Sequence, residues 1–312
     1  MSFYQLSVVF CKPYDSSTAA TDLGLPLRTS GDVLQVYPRA NLLDTYDLVF
    51  RDLKASIHDL PQISNYKTRP SKAASYALLS RIYLSIGDYD NALKYADSTL
   101  AIYDDLLDYN TLNSTDPLPF AIFNTDVLFH ASLSPNGLLR VSGCAVDTIL
   151  YKEYEENDLR KSLFFRQGTG GLTLFKGTYT ASSLEHFGGI AIDEVYLNRA
   201  ECYARKADVT SAMKDLNTLL RTRWRIGTYV EKTAEDADDA LRKVLSERRK
   251  ELIFRGLRWA DIRRLNKDAR FAKTLVRKIN GNTYQLPPGD PRYTYPIPDD
   301  EINVSGIQQN VR

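Results

Sequence analysis

Cysteine is scarce in this chain: Cys11, Cys144 and Cys202 are widely scattered over 312 residues, with no CxxC pair among them. That argues against a disulfide framework and against a zinc site, and makes free, mostly buried thiols the expectation. A charge excess of one sign is also missing. With 40 basic residues against 39 acidic ones the net charge is +1, so no overall field draws the chain to nucleic acid. No segment reaches the roughly 18 uninterrupted apolar residues of a membrane span. The opening MSFYQLSVVFCKPYD lacks the basic start and cleavage-site pattern of a signal peptide, and Phe10 is not the small residue expected ahead of a lipid-attachment cysteine. Residues 5–10 read as the tail of a helix that continues from upstream.

Catalytic signatures are lacking too. HExxH and GxSxG do not occur. His58, His130 and His186 stand apart from one another and from any Cys, Asp or Glu at ligand spacing, so structural roles are expected and no metal or cofactor. The GTGG at Gly168–Gly171 is not followed by Lys-Ser/Thr and reads as a hairpin tip rather than a phosphate loop. The pairs Glu155-Glu156 and Asp238-Asp239 sit in polar segments, where a solvated face explains them. Binding therefore ranks above catalysis.

What is present is a globular composition, 43% hydrophobic and 25% charged, with enough apolar mass for one large core or two smaller ones. Residues 12–40 are rich in Pro, Gly, Ser, Thr and Asp and read as a long ordered loop. A helix follows, capped at Asn41 and running to Ile57, with Leu43, Tyr46, Leu53 and Ile57 as its inner face. Residues 71–103 read as a helical hairpin turning at Gly87-Asp88, with small Ala77, Ser80 and Ala92 where the helices approach and Tyr76, Leu79 and Tyr83 as bulk. A second copy lies at 193–224: Tyr196, Ala200, Tyr203 and Ala212 follow Tyr76, Ser80, Tyr83 and Ala92 at a constant offset of 120. These are tetratricopeptide-like hairpins. Two of them rarely bury a continuous core alone, so a helix at 240–255 is expected to cover them.

Between the hairpins, residues 104–192 form the variable loop region, with strands predicted at 121–123 and 127–131, a helix in VDTILYKEY, and a glycine-tipped hairpin from Phe164-Phe165 to Leu174-Phe175. Residues 282–312 are rich in proline. The chain holds 20 Tyr, 12 Phe and 2 Trp, and flat rings flanked by amide or guanidinium groups are what a sugar site needs. The candidate ligand-binding residues are Asn124, Phe165, Arg166, Phe175 and Tyr179, for each of which core packing is the competing role.

The stretch from Leu245 to Asn266 organises the rest. Leu241, Leu245, Arg248 and Leu252 fall on one helical stripe, so Arg248 is expected to be buried against an acidic partner. Gly256 then breaks the helix, and a second short one places Trp259 and Ile262 inward. The run ERRKELIFRGLRWADIRRLN, carrying Glu247, Arg248, Arg249, Gly256, Arg258, Trp259, Asp261, Arg263 and Arg264, resembles the C-terminal signature of the SusD/RagB family. Pro13-Tyr14-Asp15, Gly24 to Leu27, Arg39, Pro296-Ile297-Pro298, Glu301-Ile302 and Gln309-Asn310 extend that resemblance.

The resemblance implies a mainly α, SusD-like fold over 1–312 as one domain, built on tetratricopeptide-like hairpins with long loops and a few short strands, and starting inside the family pattern. It also implies a non-catalytic lipoprotein on the face of the outer membrane that binds an oligosaccharide and acts as the lid of a SusC-like TonB-dependent transporter. A peptide ligand, or a helical-repeat scaffold for protein partners, stands as the alternative.

Overall fold

The computed structural model describes residues 1–32, 35–134 and 139–311; positions 33 and 34 of the 12–40 loop thus lie outside the described residues. In chain order the elements are α1 (Ser2–Phe10), β1 (Leu23–Pro26), β2 (Arg39–Asn41), α2 (Leu42–Asp59), α3 (Lys72–Ile86), α4 (Tyr89–Leu100), β3 (Val127–Phe129), α5 (Thr148–Lys152), α6 (Arg160–Leu163), β4 (Phe165–Gln167), β5 (Thr173–Phe175) and β6 (Ile190–Ala191). Then come α7 (Ile192–Arg205), α8 (Val209–Arg221), α9 (Ala237–Glu251), α10 (Arg258–Leu265), β7 (Leu275–Ile279), β8 (Asn282–Leu286) and α11 (Asp299–Ser305). The strands pair antiparallel in twos: β1 with β2, β3 with β6, β4 with β5 and β7 with β8. Residues 1–312, expected as one domain, divide into two compact units: 1–56 with 85–87 and 259–312, and 57–84 with 88–258.

In the first unit, arginines gather chain segments that have few side chains to pack. The Arg39 guanidinium donates to the carbonyls of Gly24 (2.7 Å) and Gln308 (3.0 Å) and to Asn310 Oδ1 (2.8 Å). Asn310 in turn donates to Phe10 O and Tyr295 O, and Gln309 exchanges two bonds with the backbone of Ile297. The terminal Gln309-Asn310 is thus a clasp closed on the amino-terminal loop. Gly24 is required by close approach, since a Cβ there would lie 2.2 Å from Thr45 Oγ1 and 2.3 Å from Asn41 O.

Helix α2 is capped as its sequence predicts, with Asp44 N donating to Asn41 Oδ1 at 2.7 Å. Its buried residues are Leu42, Thr45, Tyr46, Leu48 and Val49, so the inner face is rotated from the expected one, and Leu43, Leu53 and Ile57 are only partly covered. Helix α10 also differs: Asp261, Arg263 and Leu265 are buried, whereas Trp259 and Ile262 are intermediate. The reason is that Arg263 reaches inward to the carbonyls of Val8 and Cys11 at the end of α1. Trp259 packs instead on Tyr293 and Tyr295.

In the second unit, α3–α4 and α7–α8 are the two predicted hairpins, with Ser80, Ala92, Ala200 and Ala212 fully buried where helices approach. The repeat extends to the turns, because Asp88 caps α4 through Asn91 N as Asp208 caps α8 through Ser211 N. Tyr83 and Tyr95 stack at 5.5 Å. Between α3 and α7, Arg81 grips Glu194 at 2.7 Å and 2.5 Å.

Helix α9 packs on α7 and α8, burying Leu241, Val244, Arg248 and then Leu252, with Leu245 partly covered. Arg248 is buried as expected, and its Nη1 donates to the amide oxygen of Asn198 at 2.7 Å. The region 104–192 is no slack connection: Tyr109, Phe120, Phe164, Phe165, Phe175, Tyr179 and Phe187 form an aromatic core. The glycine-tipped hairpin is present as β4–β5. The strand expected at 121–123 is a turn, because Phe123 takes a positive φ of 60°, which no strand accommodates.

Candidate ligand-binding surface

The second unit is built over a fully buried ionic network. Arg160 forks onto both oxygens of Asp158 (2.9 and 2.7 Å), Glu247 (2.7 Å) and Glu251 (2.9 Å). Arg223 donates to Glu251 (2.7 Å), Asp126 (2.8 Å) and the carbonyl of Leu107 (2.7 Å), with its guanidinium 4.0 Å from the Tyr109 ring centre. Buried charges persist only when paired and hydrogen-bonded, and these are. Burial pushes the Glu251 carboxyl up, but Arg223 and Arg160 outweigh it and hold it below the usual range. Removing water pushes the phenols of Tyr109 and Tyr179 well above theirs, so both remain neutral donors.

From this network a row of loops is displayed. Asp126 is the anchor: its Oδ1 accepts from Leu107 N at 2.7 Å, and its Oδ2 from Arg223 and from Tyr179 OH at 2.9 Å. The turn before it is braced by Asn124, whose Oδ1 accepts from Asp126 N and whose Nδ2 donates to Ala121 O. Lys67 holds this segment at two points: its ammonium donates to Asn124 O (2.7 Å) and its carbonyl accepts from His130 N, just past β3 (2.6 Å). Leu133 N then donates to His186 O, Ser142 N to Ser183 O, and Arg166 Nη2 to Ser142 O at 2.9 Å. Segments 60–70, 121–134, 179–189, 139–146 and 164–178 are therefore laced into one continuous belt.

Two rings stand out of this belt. Tyr66 is 64% exposed and Phe123 41%, with Ile63 and Ile122 exposed beside them in sequence. Phe123 is held with φ at 60°, a left-handed conformation that costs a non-glycine residue about 1–2 kcal/mol. Its ring meets His130 edge-on at 5.0 Å, and the Arg69 guanidinium lies 5.4 Å from the Tyr66 ring centre. Apart from its edge contact with His130, the Phe123 ring is left open on a strained, well-anchored backbone, which suits it to display for a ligand.

The five residues singled out by sequence fall in different places. Phe165 (5% exposed), Phe175 (3%) and Tyr179 (1%) lie in the aromatic core, their faces covered by neighbours such as Tyr151, Tyr154, Phe254 and Phe187, so a sugar has no access to them there. Asn124 is nearly buried and its amide is engaged in the turn. Arg166 alone is exposed, on β4. Neither ring is among the sequence candidates: the sequence places Phe123 in a predicted strand at 121–123 and gives no role to Tyr66. The signal that could have found Tyr66 is local: an aromatic residue in the polar, proline-flanked segment PQISNYKTRP has no helix or strand to bury it.

His130 and His186, far apart in sequence, both lie within the belt, His130 against Phe123 and Phe187 and His186 against Phe175 and Phe254. His186 Nε2 lies 2.6 Å from Leu139 O and 3.4 Å from Cys144 Sγ. This is no nucleophile–base pair, since burial pushes the Cys144 thiol up, away from thiolate. Among the described residues no group of three or more His, Cys, Asp or Glu is placed to hold a metal. A recess of about 580 Å³ in the first unit, lined by Leu27, Thr29, Asp44, Asp47, Leu48, Phe50, Arg51 and Lys54, offers one ring, and the Lys54 ammonium already lies 5.7 Å from its centre.

The pattern of the SusD family matches residues 192–312, and a second pattern, described as starch-binding and associating with outer membrane, matches residues 1–84. The chain belongs to the SusD family. Members of this family are binding proteins without catalysis. Its fold matches a SusD superfamily protein from Bacteroides thetaiotaomicron at 23% identity and a TM-score of 0.77, over 100% of this chain and 75% of that one. A SusD-like carbohydrate binding protein from Bacteroides vulgatus matches at 18% identity and a TM-score of 0.70, over 97% and 74%. A SusD superfamily protein from Parabacteroides distasonis matches at 16% and 0.68, over 99% and 75%. No curated protein matches the chain in sequence. Among the described residues, no helix is long and apolar enough to cross a membrane.

Proposed function

We propose that this SusD-family protein binds an oligosaccharide on its loop belt, at the face of the outer membrane, and delivers it to a SusC-like TonB-dependent transporter on which it acts as a lid. The observation that carries the binding site is the pair of exposed rings, Tyr66 and Phe123, fixed on a belt that is hydrogen-bonded down to buried Asp126. A sugar presents a C–H face that lies on such a ring and hydroxyls that bond to flanking amides and guanidinium groups. Because the belt is braced before ligand arrives, little ordering entropy opposes binding. Of the five sequence candidates, Arg166 is assigned ligand contact, while Asn124, Phe165, Phe175 and Tyr179 hold the belt from beneath. The family pattern named for starch binding and the carbohydrate-binding relative support a glycan over a peptide.

Phe123→Gly separates binding from folding. Glycine removes the ring and relieves the positive φ, so melting should stay the same or rise, while calorimetric affinity for a bound oligosaccharide should fall by about tenfold or more. An unchanged affinity in both Phe123→Gly and Tyr66→Ala would remove the belt as the binding surface.

A further inference from the structure

We infer that the glycan taken by this belt is anionic, carrying carboxylate or sulfate groups; this rests on the glycan reading of the same surface and narrows it. The five belt segments hold Lys67, Arg69, Arg140, Arg166 and Lys176 as cations. Their only acids are Asp126 and Glu185, and Asp126 is fully buried on Arg223. In a chain of net charge +1 this is a local segregation of positive charge.

The cations are not equally available. Lys176 is buried and donates to Ser114 O and Asp116 O, and the Lys67 ammonium is bound to Asn124 O. Arg69, Arg140 and Arg166 are exposed, and no carboxylate among the described residues forms an ion pair with them. Outside the belt many arginines are ion-paired, such as Arg81 with Glu194, Arg160 with Asp158, Arg199 with Asp215, Arg249 with Asp147 and Arg255 with Asp193, while Arg39 and Arg263 are spent on carbonyls.

Solubility accounts for scattered surface arginines, but not for their placement here. Arg69 stands at the exposed Tyr66 ring, and Arg166 is tied by one nitrogen to Ser142 O with its other donors left over. A guanidinium is a planar fork that matches a carboxylate or sulfate with two parallel hydrogen bonds. Rings for the sugar face and forks for its acid groups therefore occur on one hydrogen-bonded belt, Arg69 directly beside the Tyr66 ring.

Matched polymers test the inference by affinity electrophoresis and calorimetry: polygalacturonate against its methyl-esterified form for carboxylate, and carrageenan against agarose for sulfate. The acidic member of at least one pair should bind about tenfold more tightly than its neutral partner, and added NaCl should weaken it. Arg69→Gln combined with Arg166→Gln should abolish that preference at unchanged melting temperature, whereas Lys278→Gln on β7 should leave it intact. Neutral members binding as tightly as acidic ones, with no effect of salt, would overturn the anionic assignment and leave the glycan reading standing. Binding to none of these four, nor to starch or xylan, would remove both.

Discussion

Ala207 holds a φ of 61° where the equivalent turn of the first hairpin places Gly87 at 84°. The two positions are separated by the same 120 residues as the rest of the repeat, so glycine is the residue this turn calls for and alanine carries the strain. Ala207→Gly should raise stability by about 0.5–1 kcal/mol, and Gly87→Ala should lower it comparably, both read from urea midpoints. Histidine sets a pH dependence at the same scale. Burial lowers both His130 and His186 below the ordinary value of 6.5, so the folded belt prefers them neutral. In His186, a neutral ring donating from Nε2 to Leu139 O leaves Nδ1 buried without a partner among the described residues, and a proton there would meet no acceptor among them. The stability these groups confer is complete above pH 6.5 and is lost as pH falls below it. Protection factors of the amides of residues 130–134 and 183–189, corrected for the intrinsic pH dependence of exchange, should fall on acidification through that range, and His186→Gln should blunt the response; pH-independent protection would refute the assignment.

At the scale of elements, Asp126 decides whether the belt stands. Asp126→Ala would leave the Arg223 guanidinium buried beside a missing carboxylate, at a cost of about 3–5 kcal/mol, with melting temperature and glycan binding falling together. Asp126→Asn keeps an oxygen for Leu107 N or Tyr179 OH and should cost less. This separates the anchor from Phe123, whose loss affects binding alone. The helices were legible because the apolar 3.6 period and the repeat offset agree, down to the equivalent caps at Asp88 and Asp208. Burial of Arg248 was legible, but its bond to Asn198 was not, since the stripe reveals that an arginine is covered and not by what. The β7–β8 hairpin went unread although Asn280-Gly281, with φ values of 51° and 81°, is a strong two-residue turn signal; its strands are exposed and carry no apolar alternation. Phe165, Phe175 and Tyr179 stand among the candidates, with core packing as the competing role, because a core ring and a displayed ring have the same composition. What separates them is depth beneath the belt, set by long-range pairings such as β3 with β6 and Tyr179 with Asp126.

For the whole molecule, a lid needs contacts that ligand makes with two proteins at once. A glycan held by the belt alone binds open and closed lids equally and shifts nothing; moving an equilibrium from mostly open to mostly closed takes about 10⁴-fold tighter binding to the closed state. The belt has the means to leave part of the ligand free, because its rings and arginines lie on a surface and not within an enclosed cavity. A sugar resting there presents its opposite face to a second partner. Recovered from outer membranes by an affinity tag, the protein should bring a TonB-dependent barrel with it, and Phe123→Gly should bring the same barrel, since the ring is assigned to ligand and not to transporter. Adding the bound glycan should then slow dissociation of the barrel from the unaltered protein and not from Phe123→Gly. Recovery without any barrel would end the lid reading and leave a glycan-binding surface protein. Equal slowing in both proteins would mean that the ligand closes the lid through groups other than the belt rings.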